Sequence, residues 1–244
     1  MRIVEKIIRT ILLSICIAAL LFSAYMLYCN WSENDESKQL NAGIVSSFTV
    51  EEKKSEVPIS VDFDGLKAQC GDVVGWLYCE GTVINYPVVQ SNDNSYYLHR
   101  MLDGSYNANG TLFMDYRNAP DLGSLNTIIY GHHMRSGAMF AVLDKFSTQE
   151  FYEEHPVVWF LTPQRAYRID LISSFVTPAS SDSYSVFQTQ EELHEYLSDA
   201  LSRSRFESSA PTVGIERIVT LSTCAYSYDN ARTVVIGRLT PVEY

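Results

Sequence analysis

The chain has 244 residues, and its 29 acidic side chains outnumber its 18 basic ones, which gives a formal net charge of −11. An acidic surface repels phosphate backbones, so the composition argues against nucleic acid as a partner. Once an N-terminal apolar segment and the polar segment after it are set aside, about 185 residues remain, enough for one domain with a substantial core.

The first predicted element is an apolar helix near the N-terminus. The run from Thr10 to Cys29 is almost unbroken in its apolar character, and about 20 helical residues reach the roughly 30 Å of a bilayer core. The cations Arg2, Lys6 and Arg9 precede this run. By the positive-inside rule, residues 1–9 stay in the cytoplasm and the bulk of the chain is exported. The sequence predicts a single-pass membrane anchor over residues 10–29.

A cleaved signal peptide is the competing interpretation of the same segment. The apolar run is longer than the about 7 to 15 residues of a signal-peptide core. Residues 25–31, at its end, are bulky and partly aromatic and offer no small-residue cleavage site. We therefore expect the anchor to be retained.

The segment that follows is polar. Residues 30–57 are rich in Ser, Glu, Asp and Lys and contain few large apolar side chains. Such a composition buries too little apolar surface to fold by itself. We expect an extracellular stalk that is flexible or only locally ordered, and a folded domain over residues 58–244.

Strand-like runs dominate the domain and are separated by turn-rich stretches. The predicted strands are Val73–Cys79, Val83–Gln90, Thr111–Asp115, Asn126–Tyr130, Val157–Leu161, Ala166–Thr177, Arg217–Cys224 and Thr233–Leu239. Short strands at this spacing indicate a mainly β domain, either a closed barrel or a sandwich.

Helices interrupt the strands at the periphery. Apolar residues at helical spacing predict helices over Phe63–Cys70, Met139–Phe146 and Gln190–Phe206, and Gln149–His155 continues the second of these regions. The apolar stripe of the last helix is more typical of core packing than of a binding surface.

We expect the cysteines to be buried or reactive thiols and not disulfide partners. Cys16 and Cys29 lie in or at the edge of the predicted anchor. A disulfide between Cys70 and Cys79 is geometrically possible, but we expect both to be buried thiols. Since no Cys or His spacing suggests a zinc site, we predict neither a metal nor a cofactor.

Cys224 is the candidate nucleophile. It ends the apolar run 215–224, and Arg232 opens a second strand-like run, 232–239. If the two runs pair as a hairpin, a thiol and a guanidinium flank the same turn. A nearby cation lowers the pKa of a thiol and stabilises an oxyanion.

The candidate base follows a β-branched run. Asn126–Tyr130 leads through Gly131 to two adjacent histidines, His132 and His133. Strand alternation cannot choose between them, because glycine permits a change of chain direction. The remaining histidines have no such context and are expected to be surface or structural residues: His99, His155 and His194.

At this point the residues resemble a known family. Thr220-Leu221-Ser222-Thr223-Cys224 resembles the TLxTC signature of sortases, the cysteine transpeptidases of Gram-positive cell surfaces. The segment 130–133 and Arg232 resemble the rest of the sortase triad. Three earlier segments are similar to class B members: Gly75–Tyr78, Ile84–Gln90 and Tyr96–Leu98. The resemblance covers roughly residues 62–240 and implies an eight-stranded β-barrel with His132 as the base.

The resemblance also implies a reaction. Cys224 would attack the carbonyl of a threonine in a C-terminal sorting motif of an exported protein and form a thioester. His132 would move protons, and Arg232 would stabilise the oxyanion or hold the substrate backbone. An amine of the peptidoglycan precursor would then take the acyl group. Three residues are candidates for substrate contacts: Ser222, Thr223 and Tyr184.

Three alternatives remain open from the sequence. A thiol peptidase would use the same residues but release a free carboxylate. A pilin-polymerising sortase would accept a lysine side chain of another subunit. A non-enzymatic, membrane-tethered binding module would contain Cys224 only as a packed thiol.

Overall fold

Ten strands and four α-helices make up the computed structural model, which describes residues 2–52, 55–225, 227 and 229–242. The strands are β1 (Thr49–Glu51), β2 (Ile59–Val61), β3 (Val73–Tyr78), β4 (Asn85–Val89), β5 (Leu112–Met114), β6 (Asn126–Tyr130), β7 (Val157–Leu161), β8 (Ala166–Pro178), β9 (Ile218–Cys224) and β10 (Ala231–Val242). Strands β3 to β10 form a closed barrel in the order β10-β8-β7-β3-β4-β5-β6-β9, while β1 pairs with β2. The mainly β prediction and the eight-stranded barrel are confirmed.

The barrel strands are buried on both faces, which explains their nearly continuous apolar sequences. Along β9, Val219 and Leu221 pack into the barrel interior. Their neighbours Ile218 and Thr220 are also fully buried, and Ile218 packs in a second cluster with residues of the helix over 190–202. The odd-numbered side chains of β9 therefore face inward, and the even-numbered ones face outward.

The helices follow the predicted positions with shifted bounds. They are α1 (Arg2–Phe48), α2 (Phe63–Gln69), α3 (Gln149–Glu154) and α4 (Gln190–Ser202). Side chains of Asp62, Thr148 and Thr189 accept hydrogen bonds from backbone N–H groups in the first turns of α2, α3 and α4. These N-terminal caps stabilise the first turns of three short helices and determine where the helices begin.

Two helix predictions are corrected by the structure. The region predicted as a helix over Met139–Phe146 is a 3₁₀ helix over Phe140–Ser147. It begins one residue later than predicted, because Met139 has a φ of +56°, outside the right-handed helical region. Helix α4 ends at Ser202 rather than Phe206. Beyond it, the Arg205 N–H donates to the Ser174 carbonyl at 2.8 Å, so the chain runs beside β8 instead.

The N-terminal helix is longer than the sequence predicted. It continues past Cys29 to Phe48, where we expected a flexible or only locally ordered stalk. Amides of Asn34 and Gln39 donate to side chains four residues earlier, at 2.7 Å in each case, and thereby support the polar part of the helix. By length and composition this helix is long and apolar enough to cross a membrane, a test that a signal sequence also passes.

The chain divides into two compact units, one up to Leu40 and one from Asn41 onward. In the second unit, Ile44 and Val57 are buried, and β1 pairs with β2 in an antiparallel arrangement. The later half of the segment expected to be a stalk therefore has regular structure within the second unit.

Cys70 and Cys79 are free, buried thiols, as the sequence predicted. The Cys79 thiol donates to the Val157 carbonyl at 3.6 Å. Burial raises the pKa of Cys79 to about 11. This thiol is unreactive because it rarely ionises near neutral pH.

Candidate active site

Three strand ends meet at one edge of the barrel. Strand β9 lies between β10, with which it is antiparallel, and β6, with which it is parallel. Cys224, the last residue of β9, lies directly opposite Arg232 on β10. Cross-strand neighbours of this kind have Cβ atoms about 4.5–5.5 Å apart. The hairpin inferred from the sequence is therefore present, and it brings a thiol and a guanidinium together.

The parallel pairing brings the histidine segment to the same edge. Tyr130 on β6 is in register with Ser222 on β9, and the Gly131 N–H donates to the Ser222 carbonyl at 3.1 Å. The ladder thus continues past the end of β6. Within β9, Cys224 lies on the same face as Ser222, two residues earlier. Past Gly131, the contacts of the two histidines and not strand alternation indicate their faces: His133 is tied through Asp144 to Thr233, whereas His132 has its partners in Leu98 and His99.

Gly131 is required by close packing at this point. A Cβ atom there would lie 2.4 Å from Cδ2 of Leu112 and 2.8 Å from the Phe140 ring. Both side chains belong to the barrel core. Only glycine lets the histidine segment lie this close to the barrel.

His132 is held by a backbone carbonyl. Its Nε2 lies 2.7 Å from the Leu98 carbonyl oxygen, which can only accept a hydrogen bond. Nε2 therefore carries the proton in the neutral ring, and Nδ1 is the basic nitrogen. The His99 ring stacks on His132 with centroids 5.6 Å apart.

These surroundings lower the pKa of His132 below its ordinary value. Burial of the ring is the main cause, and the nearby His99 imidazole acts in the same direction, while the bond to the Leu98 carbonyl opposes both. A lowered pKa means that His132 is mostly neutral near pH 7, with a free lone pair on Nδ1.

His133 lies on the other face and has different partners. Its Nε2 is 2.8 Å from Oδ2 of Asp144. Oδ1 of the same carboxylate accepts a hydrogen bond from the Thr233 hydroxyl, and Thr233 is paired with the buried Thr223. His133 is thus part of a polar contact that ties the histidine segment to β10.

Arg232 lies at the start of β10. Its Cα is in register with Cys224 on one side and with Thr177 of β8 on the other, so the strand position is fixed from both sides. Its Nη1 donates to the Ala231 carbonyl at 2.9 Å. In the loop 225–230 that connects β9 to β10, Tyr226 and Tyr228 lie outside the described residues.

Comparisons with known proteins agree with this geometry. A family model for the sortase domain matches residues 77–240. The chain belongs to the sortase family.

Its relatives are sortases of class B. A curated sortase B of Listeria monocytogenes is 36% identical over 173 residues, which cover 69% of this chain and 70% of the relative. A sortase B structure from Bacillus anthracis superposes with a TM-score of 0.76 at 31% identity, covering 87% of this chain and all of that one. A Staphylococcus aureus sortase B–substrate complex gives a TM-score of 0.70 at 33% identity and covers 74% and 85% of the two chains. This sortase is accordingly a cysteine transpeptidase with the class B architecture.

The structure places two of the three candidate substrate contacts of this sortase together. The hydroxyl groups of Tyr184 and Ser222 are 2.9 Å apart, and the Tyr184 ring stacks on Tyr130 with centroids 6.0 Å apart. Thr223, in contrast, is 2% exposed and lies on the inner face. Its side chain is not available to a bound peptide in this arrangement.

Sequence reasoning missed two neighbours of His132. His99 was expected to be a surface or structural residue, yet its ring stacks on that of His132. The Leu98 contact is made by a backbone carbonyl, which no side-chain pattern reports. The quoted segment Tyr96–Leu98 was a usable signal, because it placed this 3₁₀ turn (Tyr96–His99) among the segments similar to class B sortases.

Proposed function

We propose that this sortase is a membrane-anchored enzyme that cleaves a C-terminal sorting signal after threonine and joins the new acyl end to an amine of the peptidoglycan precursor. The observation that supports the proposal is the backbone pairing at one edge of the barrel: Cys224 on β9 is in register with Arg232 on β10, and the pairing of β6 with β9 leads to His132 just past Gly131. A nucleophile, a proton carrier and a fixed cation on one face suit acyl transfer.

In the first half-reaction, the Cys224 thiolate attacks the threonine carbonyl carbon and forms a C–S bond. The carbonyl oxygen becomes an oxyanion, which the Arg232 guanidinium opposite Cys224 stabilises. The C–N bond then breaks, and protonated His132 gives its proton to the leaving amine. The products are a thioester on Cys224 and the released C-terminal peptide.

In the second half-reaction, an amine attacks the thioester. Neutral His132 takes the amine proton at Nδ1, because Nε2 is directed at the Leu98 carbonyl. The C–S bond breaks, Cys224 leaves as a thiolate, and an amide bond has formed. The lowered pKa of His132 supports this base role, since most of the ring is neutral near pH 7.

We expect peptide recognition to involve Ser222 and Tyr184, whose side chains form a surface beside Cys224 that we call the Tyr184 wall. Ser222 precedes the nucleophile by two residues on the same face, and its hydroxyl meets that of Tyr184. Both side chains can donate and accept hydrogen bonds, which suits a peptide backbone or a polar side chain. A sortase B–substrate complex among the structural relatives supports a peptide ligand of this class.

Membrane attachment is supported by the first helix. Its apolar part has exposed side chains along its length, and the cations Arg2, Lys6 and Arg9 precede that part. The positive-inside rule then leaves the N-terminus in the cytoplasm and the catalytic domain outside the cell, in a single-pass arrangement. Exported substrates and the peptidoglycan precursor would be available on that side.

The test uses the full-length protein in detergent micelles with a panel of sorting-motif peptides, each with and without an amine acceptor. Mass spectrometry of the wild type is expected to show a ligated peptide and a Cys224 acyl-enzyme, both absent from Cys224→Ala. Cys79→Ala is the matched control, because Cys79 is a buried thiol outside the site.

The two enzymatic alternatives give different products in this assay, and a non-enzymatic binding module would give neither a product nor an acyl-enzyme. Hydrolysis that persists in excess amine would identify a thiol peptidase. Ligation to a lysine-containing pilin peptide, but not to a cell-wall peptide amine, would identify a pilin-polymerising sortase. Ligation that survives in Cys224→Ala would overturn the assigned nucleophile.

A further inference from the structure

A buried carboxylate lies behind the Tyr184 wall and is not used by the mechanism above. Asp115 follows β5 directly, and its side chain is 0% exposed. Its Oδ2 accepts hydrogen bonds from the Tyr130 hydroxyl at 2.9 Å and from the Asn94 amide at 3.0 Å. The carboxylate therefore contacts both the end of β6 and the loop that leads to the Leu98 turn.

The charge of Asp115 is balanced by Arg117. Nε and Nη2 of the guanidinium donate to the two carboxylate oxygens at 2.8 and 2.7 Å, which is a bidentate pair. Burial alone would raise the pKa of Asp115, but the bonds from Arg117, Asn94 and Tyr130 outweigh it and lower that pKa. Asp115 is thus a carboxylate at neutral pH, and it holds the guanidinium in one orientation.

The oriented guanidinium of Arg117 also contacts the Tyr184 wall. Nη2 of Arg117 also donates to the Tyr184 carbonyl at 3.0 Å. The buried Asn126 amide donates to the carbonyls on either side, those of Ser183 at 3.2 Å and Ser185 at 3.0 Å. Three consecutive carbonyls of the β8–α4 connection are therefore bound by side chains from the barrel.

These hydrogen bonds matter because connections between elements are commonly more mobile than the elements that they join. Tyr184 lies in a 3₁₀ turn of only three residues, Asp182–Tyr184, which is too short to fix the ring by itself. The hydrogen bonds from Arg117 and Asn126 provide the restraint that the short turn cannot provide. They hold the Tyr184 ring over Tyr130 and its hydroxyl at Ser222.

We propose that Asp115 and Arg117 are positioning residues that fix the Tyr184 segment as a rigid wall of the acyl-donor groove and thereby set the affinity for the sorting peptide. This inference rests on the proposed function for the identity of the ligand. The pair contributes to peptide binding through Tyr184, whereas the reactivity of Cys224 does not depend on it.

The test compares Asp115→Asn, Arg117→Met and Arg117→Lys in the full-length protein. Arg168→Met is the matched control, because Arg168 is 39% exposed, close to the 42% of Arg117, and forms an ion pair with Asp170. On β8, Arg168 is paired with Thr240 of β10, whereas Thr177, near the other end of β8, is paired with Arg232 of the candidate site. Nine residues along a strand separate the control from the site by about 30 Å.

The first measurement is hydrogen exchange of the segment 180–188, which needs no substrate. Exchange is expected to be about tenfold faster in Arg117→Met and Asp115→Asn, because local opening loses a charge-assisted hydrogen bond. Arg168→Met is expected to match the wild type. Unchanged exchange in a folded Arg117→Met would overturn the proposal, even if no peptide substrate were found for the wild type.

The second measurement separates binding from chemistry. The KM for the sorting peptide is expected to rise about tenfold in Arg117→Met, with partial recovery in Arg117→Lys, while kcat changes less. Alkylation of Cys224 by iodoacetamide is expected to stay within about twofold of the wild type, since it needs no peptide contact.

Two results would overturn the positioning role. One is an unchanged KM in Arg117→Met. The other is an equal loss of peptide turnover and of alkylation, which would indicate general damage to the fold. If Asp115→Asn fails to fold, the Arg117 variants still decide the question, because that guanidinium is partly exposed. A wild type that ligates no peptide would count against the proposed function only, and the exchange measurement would still test the wall.

Discussion

His132 and His133 are neighbours in the chain, yet they lie on opposite faces of the strand ends and have different partners. On the outer face, His132 shares its surface with Cys224 and is held by a backbone carbonyl and a stacked ring. On the inner face, His133 contacts Asp144, whose carboxylate also binds Thr233. A histidine–carboxylate pair resembles a catalytic arrangement, but here it lies on the face opposite to the thiol. In the proposed mechanism, the position of each histidine relative to Cys224 decides which of them acts as the base, and a carboxylate partner does not.

The comparison is tested most directly by removing the outer histidine. His132→Gln is expected to lower kcat/KM for ligation by about 10²–10⁴-fold, because both proton transfers lose their carrier. Glutamine keeps an amide that can donate to the Leu98 carbonyl, so the fold is expected to persist. Stopped-flow acylation with a sorting peptide measures the loss, and full activity in His132→Gln would transfer the base role to another residue.

Arg232 gives the next largest effect on the outer face. Arg232→Gln is expected to lower kcat by about 10²–10³-fold, since one oxyanion donor is lost. Arg238→Gln is the matched control on the same strand, because Arg238 pairs with Ile218 at the far end of β9. Steady-state kinetics of both variants decide the point, and equal losses would show that charge on β10, not the position beside Cys224, matters.

The inner histidine is expected to affect stability more than chemistry. His133→Gln removes the bond to a partly exposed carboxylate, which contributes about 1 kcal/mol. For a domain of this size that corresponds to a melting temperature lower by about 2–4 °C. Thermal unfolding followed by circular dichroism measures it, alongside ligation kinetics that should stay close to wild type. A loss of activity as large as that of His132→Gln would contradict the separation of the two faces.

The sequence predicted most of the barrel, and its failures have physical causes. The catalytic roles of Cys224, His132 and Arg232 stay predictions. The barrel strands are runs of β-branched and other apolar residues between clear turns, so the first and last residues of each strand were predicted to within a few residues. The face of β6 was not predictable, because Asn126 to Ile129 are all buried and give no polar alternation. The contacts of Arg117 with Tyr184 join residues far apart in the chain, and the Leu98 contact uses a backbone atom. Local patterns cannot report either of these.

The smallest expected effect concerns the ring that stacks on His132. Burial is the main cause of the lowered pKa of His132, and the electrostatic effect of the stacked His99 imidazole acts in the same direction. His99→Phe keeps an aromatic ring in place and removes that electrostatic effect. The pKa of His132 is therefore expected to rise. The acid limb of the kcat/KM profile for the amine acceptor, whose attack needs neutral His132, should then move to higher pH by a fraction of a unit. His194→Gln is the control, because its imidazole contacts the Ile215 carbonyl away from the strand ends. An acid limb that stays in place, or moves to lower pH, would show that the stacked ring acts on His132 through packing and not through its charge.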